Sequence, residues 1–371
     1  MFNSRFWKNF DWLLLAIALV LVFMGLLVIY ATSVKTVGIS TPTDVWHQAV
    51  FAGIGIVAMY ILARTDYRLW RSVWFWLYGT IILLLLVVML VSKPILGATR
   101  WIDFGFFQFQ PSEAAKLVLI VVLARFFADN YDKLDQPKYL IQSLAFLIIP
   151  VALVLKQPDL GTGLVLMAIW MSMALVSSMR KLHLGILAGI FLAFTPLFYA
   201  HLKTYQRERL TVFLNPYSDP LGAGHNVIQS TITVGSGQLF GRGLGAGTQT
   251  QLGFLPSLAQ HTDFIFAALS EKMGFIGAIL LIILFFLLVV RALRIAYQAQ
   301  DRFGFFVATG IAGMIVFHVL INIGMNMGVA PVTGIPLPFV SYGGTSLLVA
   351  LGAIGLLESI ATRRKKLEFG T

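Results

Sequence analysis

Charge and cysteine are both scarce in this sequence. Only 12% of the residues are charged and 58% are hydrophobic, whereas soluble domains carry about 25% charged residues. The absence of cysteine excludes disulfides, thiolate nucleophiles and cysteine-ligated metal sites. The sequence also lacks a His-Glu-x-x-His pattern, so we expect no tightly bound zinc. Long apolar runs dominate what remains, which is typical of a membrane protein.

The apolar runs predict the fold class, an all-α polytopic membrane protein. They are continuous over about twenty residues, which suits helical spans, and they do not alternate as barrel strands do. Ten transmembrane helices are predicted at roughly 12–32, 45–63, 73–91, 112–128, 140–156, 161–179, 183–202, 264–290, 304–327 and 343–361. We expect one transmembrane domain over residues 1–371, with a large extracytoplasmic loop of about residues 203–262 between helices 7 and 8.

The basic residues predict how the chain is oriented. Placing the N-terminus inside the cell puts most of the 27 Lys and Arg residues on cytoplasmic loops, as the positive-inside rule requires. An even number of spans then makes both termini cytoplasmic and puts the large loop on the outer face of the cytoplasmic (inner) membrane. The net charge of +11 therefore indicates contact with anionic lipid, and no nucleic acid partner is expected.

The large loop carries dense polar chemistry in an otherwise apolar chain. Arg207 and Arg209 lie near its start, where they are either solvated surface charges or ligands for a phosphate group, which arginine binds in a bidentate manner. A glycine-rich run at residues 235–247 matches a dinucleotide fingerprint only loosely and has no strand-turn-helix frame. Its glycines predict tight turns and close backbone approach.

Asp263 is the sharpest candidate for catalysis, because it lies where the loop meets the eighth predicted span. An acid in the first turn of a helix is ordinary helix chemistry. The alternative is a general base at the membrane surface, with a pKa raised by partial burial. Glu271 lies two turns deeper on the same helix and is predicted to line the same cavity, unless the adjacent Lys272 simply neutralises it.

Four other polar residues are candidates for contact with a ligand. Glu113 and Lys116 lie three residues apart at the start of the fourth span. They form either a structural ion pair or the lining of a cavity that holds a charged ligand. Asp159 follows a proline in a short turn, where capping of the next helix is favoured over ligand contact. Ser341, in the proline- and glycine-rich turn before the last span, either donates a hydrogen bond into the groove or packs.

Four separated motifs resemble the SEDS family, named for shape, elongation, division and sporulation. They are Gln110–Lys116, Gln157–Gly161, His261–Phe266 and Pro336–Gly344. The resemblance covers nearly the whole chain. Within the family, the chain resembles the RodA type, which acts in rod-shape elongation, more than the FtsW type. The stretches that support this distinction are Tyr205–Arg209, Asp219–Gly224 and Gly247–Leu252.

The resemblance implies a ten-helix glycosyltransferase that polymerises lipid II into glycan strands of peptidoglycan outside the cytoplasmic membrane. It implies as partners a class B penicillin-binding protein, which crosslinks the strands, and other membrane proteins of the elongation complex. The family's essential aspartate corresponds to Asp263, and the acid and base of its fourth-span motif correspond to Glu113 and Lys116. The chain departs from the family in the longer connection 256–261 and in having Glu271-Lys272 where paired acids are usual.

The implied chemistry converts an α-linked donor into a β-1,4 product, and a single displacement with inversion achieves this. Such a step needs a base on the acceptor hydroxyl and positive charge at the departing pyrophosphate. We assign the role of general base to Asp263, and binding of the pyrophosphate to Arg207, Arg209 and Lys116. A Mg or Mn ion is an optional aid to departure of the pyrophosphate, and no other cofactor is expected. The alternatives are a lipid II flippase, which would need a polar path across the membrane, and a non-catalytic scaffold of the elongation complex.

Overall fold

The computed structural model describes residues 4–33, 43–92, 100–105, 107–201, 204–220, 222, 224–255 and 259–364. Within these residues, the first half of the chain forms a run of helices interrupted by one small hairpin. The elements are α1 (Ser4–Asn9), α2 (Trp12–Ser33), α3 (Thr43–Arg64), α4 (Arg68–Ser72), α5 (Trp74–Val91), β1 (Ile102–Asp103), β2 (Gln108–Phe109), α6 (Pro111–Asp129), α7 (Pro137–Lys156) and α8 (Leu160–Val176).

The second half contains three further long helices after the predicted loop, and helices within that loop. The elements are α9 (Lys181–His201), α10 (Thr204–Leu214), α11 (His225–Ser236), α12 (Thr248–Gln251), α13 (Ile265–Gln298), α14 (Arg302–Asn326) and α15 (Gly344–Thr362), with short 3₁₀ turns at Tyr131–Lys133 and Pro216–Ser218. The loop between α9 and α13 is therefore partly helical and not an open coil.

Each of the ten predicted spans coincides with a long helix. Within the described residues, seven helices are long and apolar enough to cross a membrane, namely α2, α3, α5, α7, α13, α14 and α15. The chain is accordingly a multi-pass helical membrane protein. The other three predicted spans are α8, which has 17 residues, α9, and α6, which carries Glu113 and Lys116. The count of ten spans stays a prediction.

Local sequence signals explain where several helices begin. Pro111 occupies the first turn of α6, where its missing N–H costs no hydrogen bond. Asp159 caps α8 by accepting a hydrogen bond from the backbone N–H of Thr162 at 3.1 Å, so the predicted capping role is confirmed. Asp301 caps α14 in the same way, accepting from the N–H of Gly304 at 2.8 Å.

The helices with the most buried sequence stand at the centre of the fold. The apolar part of α15 is 83% buried and that of α14 is 61% buried, against 17% for α5. α15 packs chiefly against α3, and α14 packs against α13, α6 and α8. Buried apolar side chains from Leu14 in α2 to Ile360 in α15 form one continuous cluster. α13, α6 and α8 therefore surround α14.

The aromatic segment 101–110, which precedes α6, contains a short antiparallel hairpin, in which Ile102 pairs with Phe109. The hairpin docks on the start of α15 because the Thr345 hydroxyl donates to the carbonyl of Gln108 at 3.0 Å and accepts from the N–H of Gln110 at 3.3 Å. The polypeptide then enters α6 directly at Pro111. This docking fixes the start of α6 against α15.

Candidate active site

Asp263 lies in the turn immediately before α13, and two amides of α14 hold its backbone. Asn322 and Asn326 each donate a side-chain hydrogen bond to the carbonyl oxygen of Asp263, at 3.1 and 2.9 Å. Both amides are completely buried, and Asn322 also donates to the carbonyl of Ile335 at 2.8 Å. These bonds fix the Asp263 main chain, while its half-buried side chain stays available for chemistry.

The environment of Asp263 changes its acidity in the direction that a general base needs. Burial is the largest cause and raises the pKa of Asp263 from its ordinary 3.8 to about 6. Repulsion from the Asp159 carboxylate raises this pKa further, whereas the cations Arg209 and Arg100 and a hydrogen bond from Thr262 lower it. A carboxylate that titrates near 6 is ionised at neutral pH, yet it binds a proton more readily than an ordinary aspartate.

Asp159 provides the second carboxylate near Asp263 and is itself buried. Its Oδ2 accepts hydrogen bonds from the Thr162 hydroxyl at 2.9 Å and from the Gln110 amide at 3.3 Å. The Arg100 guanidinium lies 3.8 Å from Oδ1 and also donates to the carbonyls of Gln157 and Pro158. These bonds make Asp159 the centre of a polar group that ties the α7–α8 turn to the start of α6.

Close backbone packing brings this turn to the segment that follows α14. A Cβ atom added to Gly161, in the first turn of α8, would lie 2.8 Å from the carbonyl oxygen of Thr333 and 2.8 Å from a side-chain carbon of Ile335. A larger residue at position 161 would force the two segments apart. The missing side chain therefore keeps Asp159 on the same side of the molecule as the Asp263 turn.

Ser341 braces the same turn from the other side. Its hydroxyl donates to the carbonyl of Thr262 at 2.6 Å and accepts from the N–H of Leu337 at 2.8 Å, and Ser341 is buried. The neighbouring N–H of Tyr342 donates to the carbonyl of His261 at 2.8 Å. Ser341 is thus placed to position the residue next to Asp263, and direct contact with substrate stays a prediction.

His261 also has a bracing role, although it lies only two residues from Asp263. Burial lowers the pKa of its imidazole, so the ring is neutral at pH 7. Its Nδ1 lies 2.9 Å from the Thr32 hydroxyl, which itself donates to the carbonyl of Val28. Its Nε2 lies 3.2 Å from the amide nitrogen of Gln260. Both ring nitrogens are engaged, so Asp263 is the better candidate for the base.

Removing the Ser341 hydroxyl tests this bracing. In Ser341→Ala, the buried N–H of Leu337 and the carbonyl of Thr262 both lose a partner. We expect a loss of stability of about 1–3 kcal/mol, measured as a lower melting temperature in detergent. Ser218→Ala is the matched control, because that hydroxyl lies on an exposed turn, where a change within about 0.5 kcal/mol is expected. Equal melting of both variants would contradict the bracing role.

Glu113 and Lys116 form a completely buried ion pair on α6. Lys116 Nζ lies 2.8 Å from Glu113 Oε2, and the side chains are only 2% and 3% exposed. Lys116 Nζ also lies 3.2 Å from His318 Nε2 of α14, while His318 Nδ1 has no hydrogen-bond partner among the described residues. The preceding residue, Ser112, lies within 3.5 Å of the Asp159 carboxylate. The pair therefore forms a deeper polar layer directly beneath the Asp159 group.

The two loop arginines lie on α10. Arg209 donates to the carbonyl of Val332 at 3.1 Å, which brings α10 to the segment that contains Thr333, and its positive charge acts on Asp263. Arg207 is half-buried. Its backbone carbonyl accepts a hydrogen bond from the hydroxyl of Thr211, one turn further along α10, at 3.1 Å. The structure therefore places the charge of Arg209 within electrostatic range of Asp263.

Glu271 and Lys272 belong to a second polar group, further along α13. The Glu271 carboxylate accepts hydrogen bonds from the N–H groups of Gln249 at 2.8 Å and Thr250 at 3.0 Å, which caps α12. Lys272 Nζ donates to the carbonyl of Ala246 at 3.2 Å. Both side chains anchor the glycine-rich loop, and the predicted contact of Glu271 with substrate stays a prediction.

Several residues of the site were not identified from the sequence. His318, Asn322 and Asn326 are spaced four residues apart, so they form one polar stripe along the otherwise apolar α14. That spacing was a usable signal, because polar residues within a span normally face a partner or a cavity. Arg100 offered no such signal. Of the departures in residues 256–261, Pro256 to Leu258 lie outside the described residues.

No group of three or more His, Asp and Glu side chains capable of holding a metal ion occurs in the part of the chain that the structure describes. The carboxylates of the candidate site are those of Asp263 and Asp159. A divalent cation there would need further oxygen ligands from the substrate itself.

Comparison with known proteins identifies relatives over nearly the full length. A family model described as "Cell cycle protein" (FTSW_RODA_SPOVE) matches residues 11–366. Stage V sporulation protein E of Bacillus subtilis is 40% identical, covering 95% of this chain and 96% of its own length. Peptidoglycan glycosyltransferase MrdB of Escherichia coli is 38% identical, covering 98% and 97%. A chain from the structure "Structural coordination of polymerization and crosslinking by a peptidoglycan synthase complex" matches with a TM-score of 0.79 and 31% identity, over 95% and 97%.

Proposed function

Because this chain belongs to the FtsW, RodA and SpoVE family of cell cycle proteins, we propose that it polymerises lipid II with Asp263 as general base. The family resemblance predicted from the sequence motifs is confirmed by this match and by the relatives. The chain is a peptidoglycan glycosyltransferase, which is also the name of a relative that is 38% identical over 98% of this chain. A role in elongation and rod shape rests on the RodA-type stretches.

The Asp263 carboxylate is the single observation that carries the proposed mechanism. Its pKa is raised to about 6, its main chain is fixed by two buried amides, and its side chain is half-buried at the start of α13. We propose that this carboxylate removes the proton from the hydroxyl of the acceptor sugar. The resulting oxygen attacks the anomeric carbon of the donor, and the bond to pyrophosphate breaks as the new glycosidic bond forms.

The stereochemistry favours this single displacement. An α-linked donor and a β-linked product differ by one inversion, which one displacement achieves. A covalent bond between the donor sugar and Asp263 would require two displacements and would retain the α configuration. Asp263 therefore acts as a base rather than as a nucleophile.

The departing pyrophosphate needs positive charge. We assign Arg209 to it first, because the charge of Arg209 already acts on Asp263. Arg207 lies on the same helix, α10. Lys116, which is buried with Glu113, lies in the deeper layer and contributes its positive charge from there. A Mg or Mn ion that assists departure would take oxygen ligands from Asp263, Asp159 and the pyrophosphate.

The remaining candidates support the base. Burial is the main cause of the raised pKa of Asp263, and repulsion from the Asp159 carboxylate adds to it. Ser341 positions Thr262 next to it. Glu271 holds the glycine-rich loop through its carboxylate, and we propose that this loop covers the substrate on the side of α13.

The setting of the site suits a lipid-linked substrate. We propose ten spans, cytoplasmic termini and an Asp263 turn on the outer face of the membrane. A polyprenyl tail then stays in the bilayer while its sugar reaches the base. The related structure of a complex for polymerisation and crosslinking supports a class B penicillin-binding protein as partner, together with other membrane proteins of the elongation complex.

The pH dependence of polymerisation follows from the acidity of Asp263. The base works only in its ionised form, and its pKa is raised to about 6. We expect kcat/KM to be constant above this pH and to fall about tenfold per pH unit below it. The measurement is the initial rate of glycan formation across the pH range, in buffers of constant ionic strength. A constant rate down to about pH 4.5, well below the raised pKa, would contradict the assignment.

The experiment that tests the function uses purified lipid II and the protein co-purified with its penicillin-binding partner. Glycan strands should appear with wild-type protein, and a preparation that lacks this chain controls for a contaminating polymerase. A flippase would instead move fluorescent lipid II across vesicle membranes without joining sugars. Translocation without polymer would overturn the glycosyltransferase proposal in favour of transport.

A further inference from the structure

The long helix α13 is broken at Gly274, which adopts a left-handed conformation with φ +68°. Such a break frees backbone N–H groups that a continuous helix would pair internally. Here the freed groups are paired by the glycine-rich loop. The N–H of Phe275 donates to the carbonyl of Gln238 at 2.7 Å, and the N–H of Ile276 donates to that of Leu239 at 3.2 Å.

The same loop also pairs the carbonyl groups on the other side of the break. The N–H of Arg242 donates to the carbonyl of Glu271 at 2.8 Å, and the N–H of Gly243 donates to that of Lys272 at 3.1 Å. We call residues 238–243 the kink loop. Its backbone groups form the hydrogen bonds that the missing turn of α13 would otherwise have formed.

The two segments meet backbone to backbone. A Cβ atom added to Gly274 would lie only 2.2 Å from the backbone nitrogen of Gly241, and one added to Gly241 would lie 2.2 Å from the carbonyl oxygen of Lys272. Only glycine fits at this distance. Irregular backbone is tolerated at membrane depth where protein satisfies its polar groups, and the four hydrogen bonds between the kink loop and α13 satisfy polar groups on both segments.

The depth of the break is set by the far end of the helix. Arg291 of α13 pairs with Asp11 at 2.5 Å, and Asp11 stands directly before the apolar span α2 begins at Trp12. The ion pair therefore marks one edge of the hydrocarbon layer. From Arg291 to Gly274 the helix rises about 26 Å at roughly 1.5 Å per residue, whereas the hydrocarbon layer is about 30 Å thick. The break thus lies within the layer, near its opposite edge.

At this depth the kink loop presents large apolar side chains outward. Leu239 is 61% exposed and Phe240 is 80% exposed, and beside them on α13 Phe275 and Ile276 are 58% and 53% exposed. The apolar surface of the loop is therefore continuous with the lipid-facing surface of the span. The exposed Arg242, which follows two residues later, suits the adjacent layer of lipid headgroups.

We propose that the kink loop is a re-entrant segment whose Leu239 and Phe240 side chains insert among the acyl chains of the leaflet on the Asp263 side. Lipid acyl chains are the occupant that the surface fits, because it is apolar, is continuous with a span and is joined to α13 by four backbone hydrogen bonds. The segment anchors the glycine-rich loop, and with it Glu271 and Lys272, to the membrane. The inference is independent of the chemistry at Asp263.

The natural absence of cysteine permits a direct test on the full chain. Phe240→Cys is labelled with an environment-sensitive fluorophore and reconstituted into vesicles of phosphatidylethanolamine and phosphatidylglycerol. Nitroxides carried on the acyl chains of the lipid should quench the label several-fold more than aqueous iodide does, and its emission should shift to the blue. No substrate or partner is present, so the outcome does not depend on glycosyl transfer.

Two matched positions calibrate the result. Thr248→Cys labels an exposed polar position at the start of α12, directly after the glycine-rich run, and should be quenched by iodide. Phe286→Cys labels a side chain 64% exposed on the lipid face of α13 and should be quenched by the acyl-chain nitroxides. A Phe240 label that behaves like the Thr248 label would overturn the proposal. Protection of the Phe240 label from both quenchers would also overturn it, since protein would then cover the surface.

Discussion

Replacing Asp263 by asparagine is expected to reduce the rate of glycan polymerisation by at least about 100-fold, the range in which loss of a general base falls. Asparagine has nearly the same shape as aspartate but cannot accept the acceptor's proton at neutral pH. The backbone bonds from Asn322 and Asn326 do not involve the side chain and are retained. The loss should therefore appear in kcat rather than in the amount of folded protein.

The same variant is expected to be more stable than wild type at pH 8. Burial raises the folded-state pKa of Asp263 from 3.8 to about 6, so the folded protein holds this proton more tightly than the unfolded chain. The contribution of Asp263 to stability is then present at low pH and is lost as pH rises through about 6. Asparagine carries no charge at any of these pH values, so the variant does not lose this stability as the pH rises. The difference in stability between the variant and wild type should therefore vanish near pH 4.

The measurement pairs polymerisation of purified lipid II with melting curves at pH 8 and pH 4, for protein bound to its partner. Asp103→Asn is the control, because this exposed carboxylate lies in the hairpin near α6 and accepts a hydrogen bond from the N–H of Gly105. It should retain the wild-type rate. Normal polymer from Asp263→Asn would contradict the base assignment.

The second large effect is expected at the buried pair of Glu113 and Lys116. Lys116→Ala leaves the Glu113 carboxylate buried without its partner, which is expected to cost about 3–5 kcal/mol of stability. Exchanging the two residues, Glu113→Lys with Lys116→Glu, keeps one charge of each sign on the same face of α6. The exchanged protein should therefore melt much closer to wild type than Lys116→Ala does.

Activity should distinguish a functional pair from a structural one. Exchange moves the positive charge by about one helical turn, roughly 4.5 Å along α6, and brings a carboxylate to His318 in place of the ammonium. We expect polymerisation to fall at least tenfold in the exchanged protein. The check is kcat and melting temperature measured on the same preparations. Unchanged turnover in the exchanged protein would return the pair to a purely structural role.

Much of the fold was predictable because helix formation in a membrane depends on local sequence. The apolar runs located ten long helices, and Asp159 marked the start of α8. The loop of residues 203–262 was less predictable. Its helix α11 is held by contacts to the span region, such as the hydrogen bond from Ser230 to the backbone of Asn326 at 3.0 Å, which no local pattern reveals.

The candidate site divides in the same way. The sequence by itself determined that Asp263 stands at the start of a span and that Glu113 and Lys116 share a helix face. Only the tertiary structure decided that Arg209 approaches Asp263, and that the Glu271 carboxylate caps α12. Spans and caps are specified by interactions over a few residues, whereas these contacts join segments far apart in the chain. Their geometry depends on how the helices pack around α14, which the sequence pattern of any one helix does not contain.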